Sequence, residues 1–192
     1  MAILEIKTDK VNLTEEQFFY LCARNKELRI ERDKNQNIII MAPTGGETGN
    51  SNLKIASRVE FWNEKENSGY SFDSSTGFTL PNNAMRSPDV SWIPKDKWEK
   101  IPKEDRKRFP HICPDFVIEL VSESDSLKDT KLKMEEWIEN GCRLGWLINP
   151  DTRTTIIYKP MTAATTLTFK ETLSGEDVLP GFELLLDTII SE

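Results

Sequence analysis

The sequence predicts a mixed α/β (α+β) fold, a mixed central sheet flanked by helices, in one domain over residues 1–192. Three observations point there. The run 116–121 is almost unbroken β-former between Pro114 and a polar turn, the pattern of a strand covered on both faces. Hydrophobic periods along the chain follow the order helix, hairpin, helix, strands, helix, strands, which is the order of a sheet with helices packed on it. A chain of 192 residues with 38% hydrophobic content is also long enough for one sizeable core.

Taken in order, Thr14-Glu-Glu-Gln17 is a capping-box pattern that opens a helix to about Asn25. Residues 28–42 read as a hairpin turning over 33–37. A loop over 43–49 feeds a helix from about Asn50 to Asn67. Its apolar positions Leu53, Ile55, Ala56, Val59 and Trp62 form a sheet-facing stripe. Residues 70–80 read as a strand with a polar interruption over 73–77, and Asn82-Asn83 turns the chain into a strand that begins at Asp89. A charged insertion over 95–110 precedes the central strand. From Ser124 the pattern becomes helical, with Leu127, Thr130, Met134, Trp137 and Ile138 on one face and Gly141 placed as a C-terminal cap. Residues 143–149, 154–159 and 165–170 are further strands, and 179–187 closes the fold.

Composition removes several chemistries. The single histidine, His111, excludes multi-histidine metal sites and the His-Glu-x-x-His zinc motif. Cys22, Cys113 and Cys142 are widely spaced without a Cys-x-x-Cys pair, so reduced thiols and a cytoplasmic location are expected. No stretch reads as a membrane span or signal peptide. The glycine-rich 45–49 stretch lacks the Lys-Ser/Thr of a Walker phosphate loop. A net charge of −7 argues against broad attraction to nucleic acid. Locally, seven basic residues against four acidic ones fall within 95–108. Lys95, Lys97, Lys100 and Lys103 make that segment a candidate phosphate-tracking surface, although taken alone the segment reads first as a solvated helix of mixed charge.

The informative residue is Glu119, a carboxylate in the middle of the most apolar strand. Burying it without a partner costs several kcal/mol or shifts its pKa, so it needs a cation. Asp115 shares its strand face but lies about 13 Å away at roughly 3.3 Å per residue, too far to share one ion. The second carboxylate should come from a neighbouring strand, and Asp89 in Arg86-Ser-Pro-Asp89 is placed to supply it. Hard oxygen donors without histidine suit Mg2+ or Mn2+. A capped turn at Asp89, or a buried Arg or Lys beside Glu119, would satisfy the same residues.

The order Pro88-Asp89, Glu119-Leu-Val-Ser122, Asp129, Lys133, Trp137, Gly141, Trp146-Leu-Ile-Asn149-Pro150 resembles the Uma2 (DUF820) family of restriction endonucleases, within the PD-(D/E)XK nuclease superfamily. The likeness runs over roughly 14–187. It implies a restriction-endonuclease-like core and a magnesium-dependent phosphodiester hydrolase acting on DNA. Asp89 and Glu119 match the catalytic metal ligands. The superfamily lysine two residues after Glu119 is replaced by Val121, and the family's alternative lysine on the next helix matches Lys133. Lys131 flanks the same helix face, so both remain candidates. Glu31, Asn52 and Ser122 match accessory positions. A homodimer is the expected assembly for cutting two strands. Val121 and the acidic net charge keep open a second reading, a nuclease fold without activity serving as a binding or assembly module. RNA or nucleotides are alternative substrates.

Overall fold

The computed structural model describes residues 4–8, 11, 13–123 and 125–190. In chain order these form β1 (Leu4–Ile6), α1 (Glu15–Arg24), β2 (Arg29–Arg32), β3 (Ile38–Met41), α2 (Gly46–Glu66), β4 (Gly69–Asp73), β5 (Phe78–Thr79) and β6 (Met85–Arg86). There follow β7 (Val90–Pro94), α3 (Lys95–Trp98), β8 (Phe116–Leu120), α4 (Leu127–Glu139) and β9 (Leu144–Asn149). The chain ends in β10 (Thr154–Tyr158), β11 (Thr165–Thr168), β12 (Leu173–Ser174) and β13 (Glu183–Leu184).

Six strands form the central sheet in the order β11-β10-β9-β8-β7-β4, with β8 and β9 parallel and the other neighbours antiparallel. A second, antiparallel sheet has the order β1-β3-β2-β6-β5, and β12 and β13 form a small ribbon. The mixed sheet with helices is the fold class expected. Alternation along β8 sends Phe116, Ile118 and Leu120 to one face, where they pack with Ile55, Val59 and Trp62 of α2 and with the C-terminal residues Leu179 and Phe182. Val117 and Val121 pack on the other face with Met134 and Trp137 of α4. Glu119 shares that second face, so the helix that crosses between β8 and β9 lies directly over it.

Local chemistry explains the element ends. Thr14 and Gln17 cap α1 reciprocally, with Oγ1 of Thr14 accepting from the Gln17 amide and Oε1 of Gln17 accepting from the Thr14 amide. Ser126 Oγ accepts from the Asp129 amide at 3.3 Å and starts α4. Ser124, the expected start of this helix, lies outside the described residues. Gly141 follows α4 with φ +111, a conformation that favours glycine. A Cβ on Gly145 of β9 would stand 2.4 Å from Met134 Cε, so the missing side chain is what lets α4 seat on the sheet.

Two expectations need correction. The helix expected from Asn50 starts at Gly46, inside the glycine-rich stretch, because glycine is tolerated in a first turn where no preceding turn constrains the backbone. The strand read over 70–80 is two strands, β4 and β5, in different sheets. Its polar interruption is a turn in which the Asp73 carboxylate accepts from Ser75 and Thr76, and there the chain leaves the central sheet. It returns through Ser87-Pro88-Asp89, between β6 and β7. Asp89 therefore sits at the crossing from one sheet to the other.

Candidate active site

Four elements bring charged side chains to the seam between the sheets. Glu31, on β2, is 2% exposed; Glu119, on β8, is 5% exposed. Asp89 enters β7, which pairs antiparallel with β8 so that Val90 lies opposite Ile118. Lys133, about two turns into α4, reaches across from the helix.

Lys133 Nζ donates to Glu31 Oε1 at 3.0 Å, to the Ser87 carbonyl at 3.1 Å and to Glu119 Oε2 at 3.2 Å, and lies 2.9 Å from Glu119 Oε1. Trp137, one turn further along the same helix face, donates its indole N–H to Glu119 Oε1 at 2.9 Å. Asp89 is held at both oxygens: Oδ2 accepts from the Leu120 amide at 2.8 Å, and Oδ1 accepts from Asn52 Nδ2 at 3.2 Å. Behind Lys133, Glu31 also accepts from the Ser87 amide and from Arg86 at 3.0 Å each, and Arg86 Nε donates to Glu136 at 2.6 Å.

Burial and charge set the protonation of this group. Burial pushes Glu119 from an ordinary 4.5 up to about 7; Lys133 opposes this, while Asp89 and Glu31 reinforce it. Asp89 is also raised by burial, against the Leu120 N–H that favours its charge. Glu31 goes the other way. Burial would raise it, but Lys133, Arg86 and the Ser87 amide outweigh that and lower it to about 2. Burial opposes the charge of Lys133, yet Glu119 and Glu31 hold its pKa above the ordinary lysine value. Among the described residues, Glu31, Asp89, Glu119 and Glu136 thus surround two cations, Arg86 and Lys133, with Arg29 acting on Asp89 as a third, and a divalent cation would close the remaining deficit.

These residues open on a cleft of about 550 Å3, within the usual size range of ligand sites. Its walls add Asp33, Asp125, Asp129, Glu135 and Glu139, against Arg29 and Lys34. Among the described residues, no set of three or more His, Cys, Asp or Glu side chains is arranged to hold a metal. The donor set nonetheless fits Mg2+ or Mn2+, which bind through one or two carboxylates and complete their shell with water and substrate oxygens. Asp89 and Glu119 are the residues that would hold it.

The structure brings Asp89, Glu119, Lys133, Glu31 and Asn52 together. Ser122 lines the cleft and donates from N and Oγ to Asp125 Oδ2 at 2.9 and 2.8 Å. Lys131 neither lines the cleft nor joins these contacts, so between the two helix lysines the geometry selects Lys133. The basic quartet lies elsewhere. Lys95 begins α3 at the far end of β7, roughly 20 Å from Asp89 along the strand. Lys97 is bound to Asp115, Lys95 to Asn67 and Lys100 to Asp96, and neither these three nor Lys103 lines the cleft. The quartet therefore lies outside the cleft, at its own end of the sheet. Sequence reading missed Arg86, Glu136 and the Trp137 indole as polar partners. The only signal was spacing: Trp137 lies four residues after Lys133, on the same helix face.

The family model described as "Uma2: Putative restriction endonuclease" matches residues 15–187. Among solved structures, the fold is similar to a "putative nuclease belonging to DUF820" from Anabaena variabilis ATCC 29413, with a TM-score of 0.77 and 20% identity over 93% of this chain and 98% of that one. No curated protein matches.

Proposed function

The chain belongs to the Uma2 family, and on that premise we propose that it hydrolyses phosphodiester bonds of DNA with Mg2+ or Mn2+ held by Asp89 and Glu119. The observation that carries this is the meeting of Glu119 from a buried strand, Asp89 from its antiparallel neighbour and Lys133 from the crossing helix, in one cleft with surplus negative charge.

When bound, the cation supplies Lewis-acid polarisation of the phosphate and acidifies a water. The chain's own residues do the rest. The Leu120 amide and Asn52 fix both oxygens of Asp89, so its lone pairs are oriented before substrate arrives. Trp137 fixes the Glu119 carboxylate from behind. Lys133 keeps its ammonium form because Glu31 and the Ser87 carbonyl hold it independently of Glu119. An ammonium there can stabilise negative charge developing on the phosphate.

Plasmid nicking in Mg2+ or Mn2+ tests this: activity is expected from the native chain and none from Asp89→Asn or Glu119→Gln. Unchanged cleavage by both variants would remove the assignment. A second reading, a nuclease fold used as a binding or assembly module, is favoured by one observation. Lys133 and Trp137 already occupy Glu119, so this carboxylate has hydrogen-bond partners without a cation. Full-length plasmid after prolonged incubation, with no Mn2+ bound, supports that reading.

A further inference from the structure

We propose that a small cavity beneath α1, on the opposite face of the β2 strand from the cleft, is a second binding site, and that it takes a single oxyanion head group on the guanidinium of Arg32. Alternation on β2 sends Glu31 to the cleft and Arg32 to the other side. There Arg32 is 3% exposed, with its guanidinium 4.9 Å from the centre of the Phe18 ring. Its Nη atoms reach only the Leu13 and Asn83 carbonyls, at 3.4 and 3.5 Å, and Nε is buried without an acceptor. Among the described residues no carboxylate pairs with it, whereas Arg86, Arg143 and Arg153 each hold an acid.

A buried charge without a contacting counter-charge is unfavourable; Glu15 acts on Arg32 without forming an ion pair with it, being bound to His111, and the Phe18 face compensates only a fraction. The missing partner has a place to sit. Arg32 lines a cavity of about 150 Å3 together with Thr79, Met85, Arg108, Phe109 and His111. Among the described residues Arg108 also has no salt bridge, and it stands 5.2 Å over the Phe19 ring. The volume suits a phosphate or a carboxylate and is too small for a nucleotide. The free Nε edge of a guanidinium matches the two oxygens of such a group. Glu15, Glu16 and Asp105 stand exposed at the rim, with Glu15 bound to His111 at 3.0 Å. Their charge disfavours a polyanion and separates this site from nucleic-acid backbone. The occupant would lie close to the cleft network, because Arg32 pairs with Met85 across β2 and β6 while the adjacent Glu31 and Arg86 form the ion pair on the cleft side.

Calorimetric titration of the full chain with inorganic phosphate, and separately with acetate, tests the site. One saturable event is expected for at least one of the two. It should weaken tenfold or more in Arg32→Met and severalfold in Arg108→Met, whose exposed side chain is removed without disturbing the core. Lys133→Met, in the cleft, should leave it unchanged. Thermal unfolding gives an independent readout, since the bound anion should raise the midpoint of the native chain and not that of Arg32→Met. If Arg32→Met does not fold, Arg108→Met and Lys133→Met decide. The proposal is overturned by no saturable binding of either anion, by binding lost in Lys133→Met but kept in Arg108→Met, or by a 5′-phosphorylated oligonucleotide binding more tightly than phosphate through the same two arginines.

Discussion

Two buried carboxylates, Asp115 just ahead of β8 and Glu119 within it, have opposite surroundings. Asp115, with its side chain 1% exposed, meets Lys97 Nζ at 2.7 and 2.9 Å and has Arg143 at 3.8 Å. Arg143 also holds Asp177 at 2.6 Å, so two cations balance two acids and the group closes on itself. Glu119 shares one lysine with Glu31, lies near the partly buried Asp89, and opens on a cleft. Burial alone therefore does not mark a functional acid. What separates the two ends is whether the chain itself completes the charge balance, and only at the Glu119 end is it left negative.

The comparison can be broken most sharply by neutralising one acid at the cleft and one cation at the far end. Glu119→Gln and Asp89→Asn should each reduce metal-dependent cleavage by about a thousandfold or more, with the folded chain retained, as followed by nicking assays and circular dichroism. Lys133→Met should cost about a hundredfold, while Lys131→Met stays within about twofold. Equal losses in the two lysine variants would contradict the geometry. At the other end, Lys97→Met leaves Asp115 with Arg143 alone. It should lower unfolding stability by about 2 kcal/mol, less than a fully enclosed pair loses, and leave cleavage unchanged.

Smaller effects sharpen the contrast through pH. The folded chain holds the Glu119 proton up to about 7, whereas an ordinary glutamic acid releases it near 4.5. In that window the folded state binds the extra proton, so this residue's contribution to stability falls as pH rises from about 4.5 to about 7. Glu31, lowered to about 2, acts in the opposite sense: its contribution is present above 4.5 and is lost as pH falls toward 2. Urea unfolding of the native chain should therefore show a decline on the order of 2 kcal/mol between pH 5 and 8 that Glu119→Gln removes. A parallel pH dependence in the two proteins would show that Glu119 does not carry this proton. Replacing Lys95, Lys100 and Lys103 together should change the salt dependence of DNA binding least of all, because these lysines lie away from the cleft.

The contrast also shows which features could be read from residue order. A strand as apolar as 116–121 with one acid at its centre declares itself, as does the Thr14–Gln17 capping box, because both signals are local. The nearness of Asp89 to Glu119 was legible because the distance along a strand excluded Asp115. The choice of Lys133 over Lys131 was not, since a helix places both near the same face and only the packing of Met134 and Trp137 on β9 sets the rotation. Nor was the role of Lys97, which looks like surface charge until the fold brings the buried Asp115 beside it. The sheet crossings at 73–77 and 87–89 escaped for a related reason. Each is written as an ordinary polar turn, and which sheet the chain joins afterwards depends on partners far away in sequence.

Mn2+ binding by calorimetry at pH 8, compared among the native chain, Asp89→Asn, Glu119→Gln and Lys97→Met, addresses the central claim most directly. One saturable site is expected in the native chain and in Lys97→Met, weakened tenfold or more in each carboxylate variant. Equal Mn2+ affinity in all four proteins would contradict a shared ion between Asp89 and Glu119.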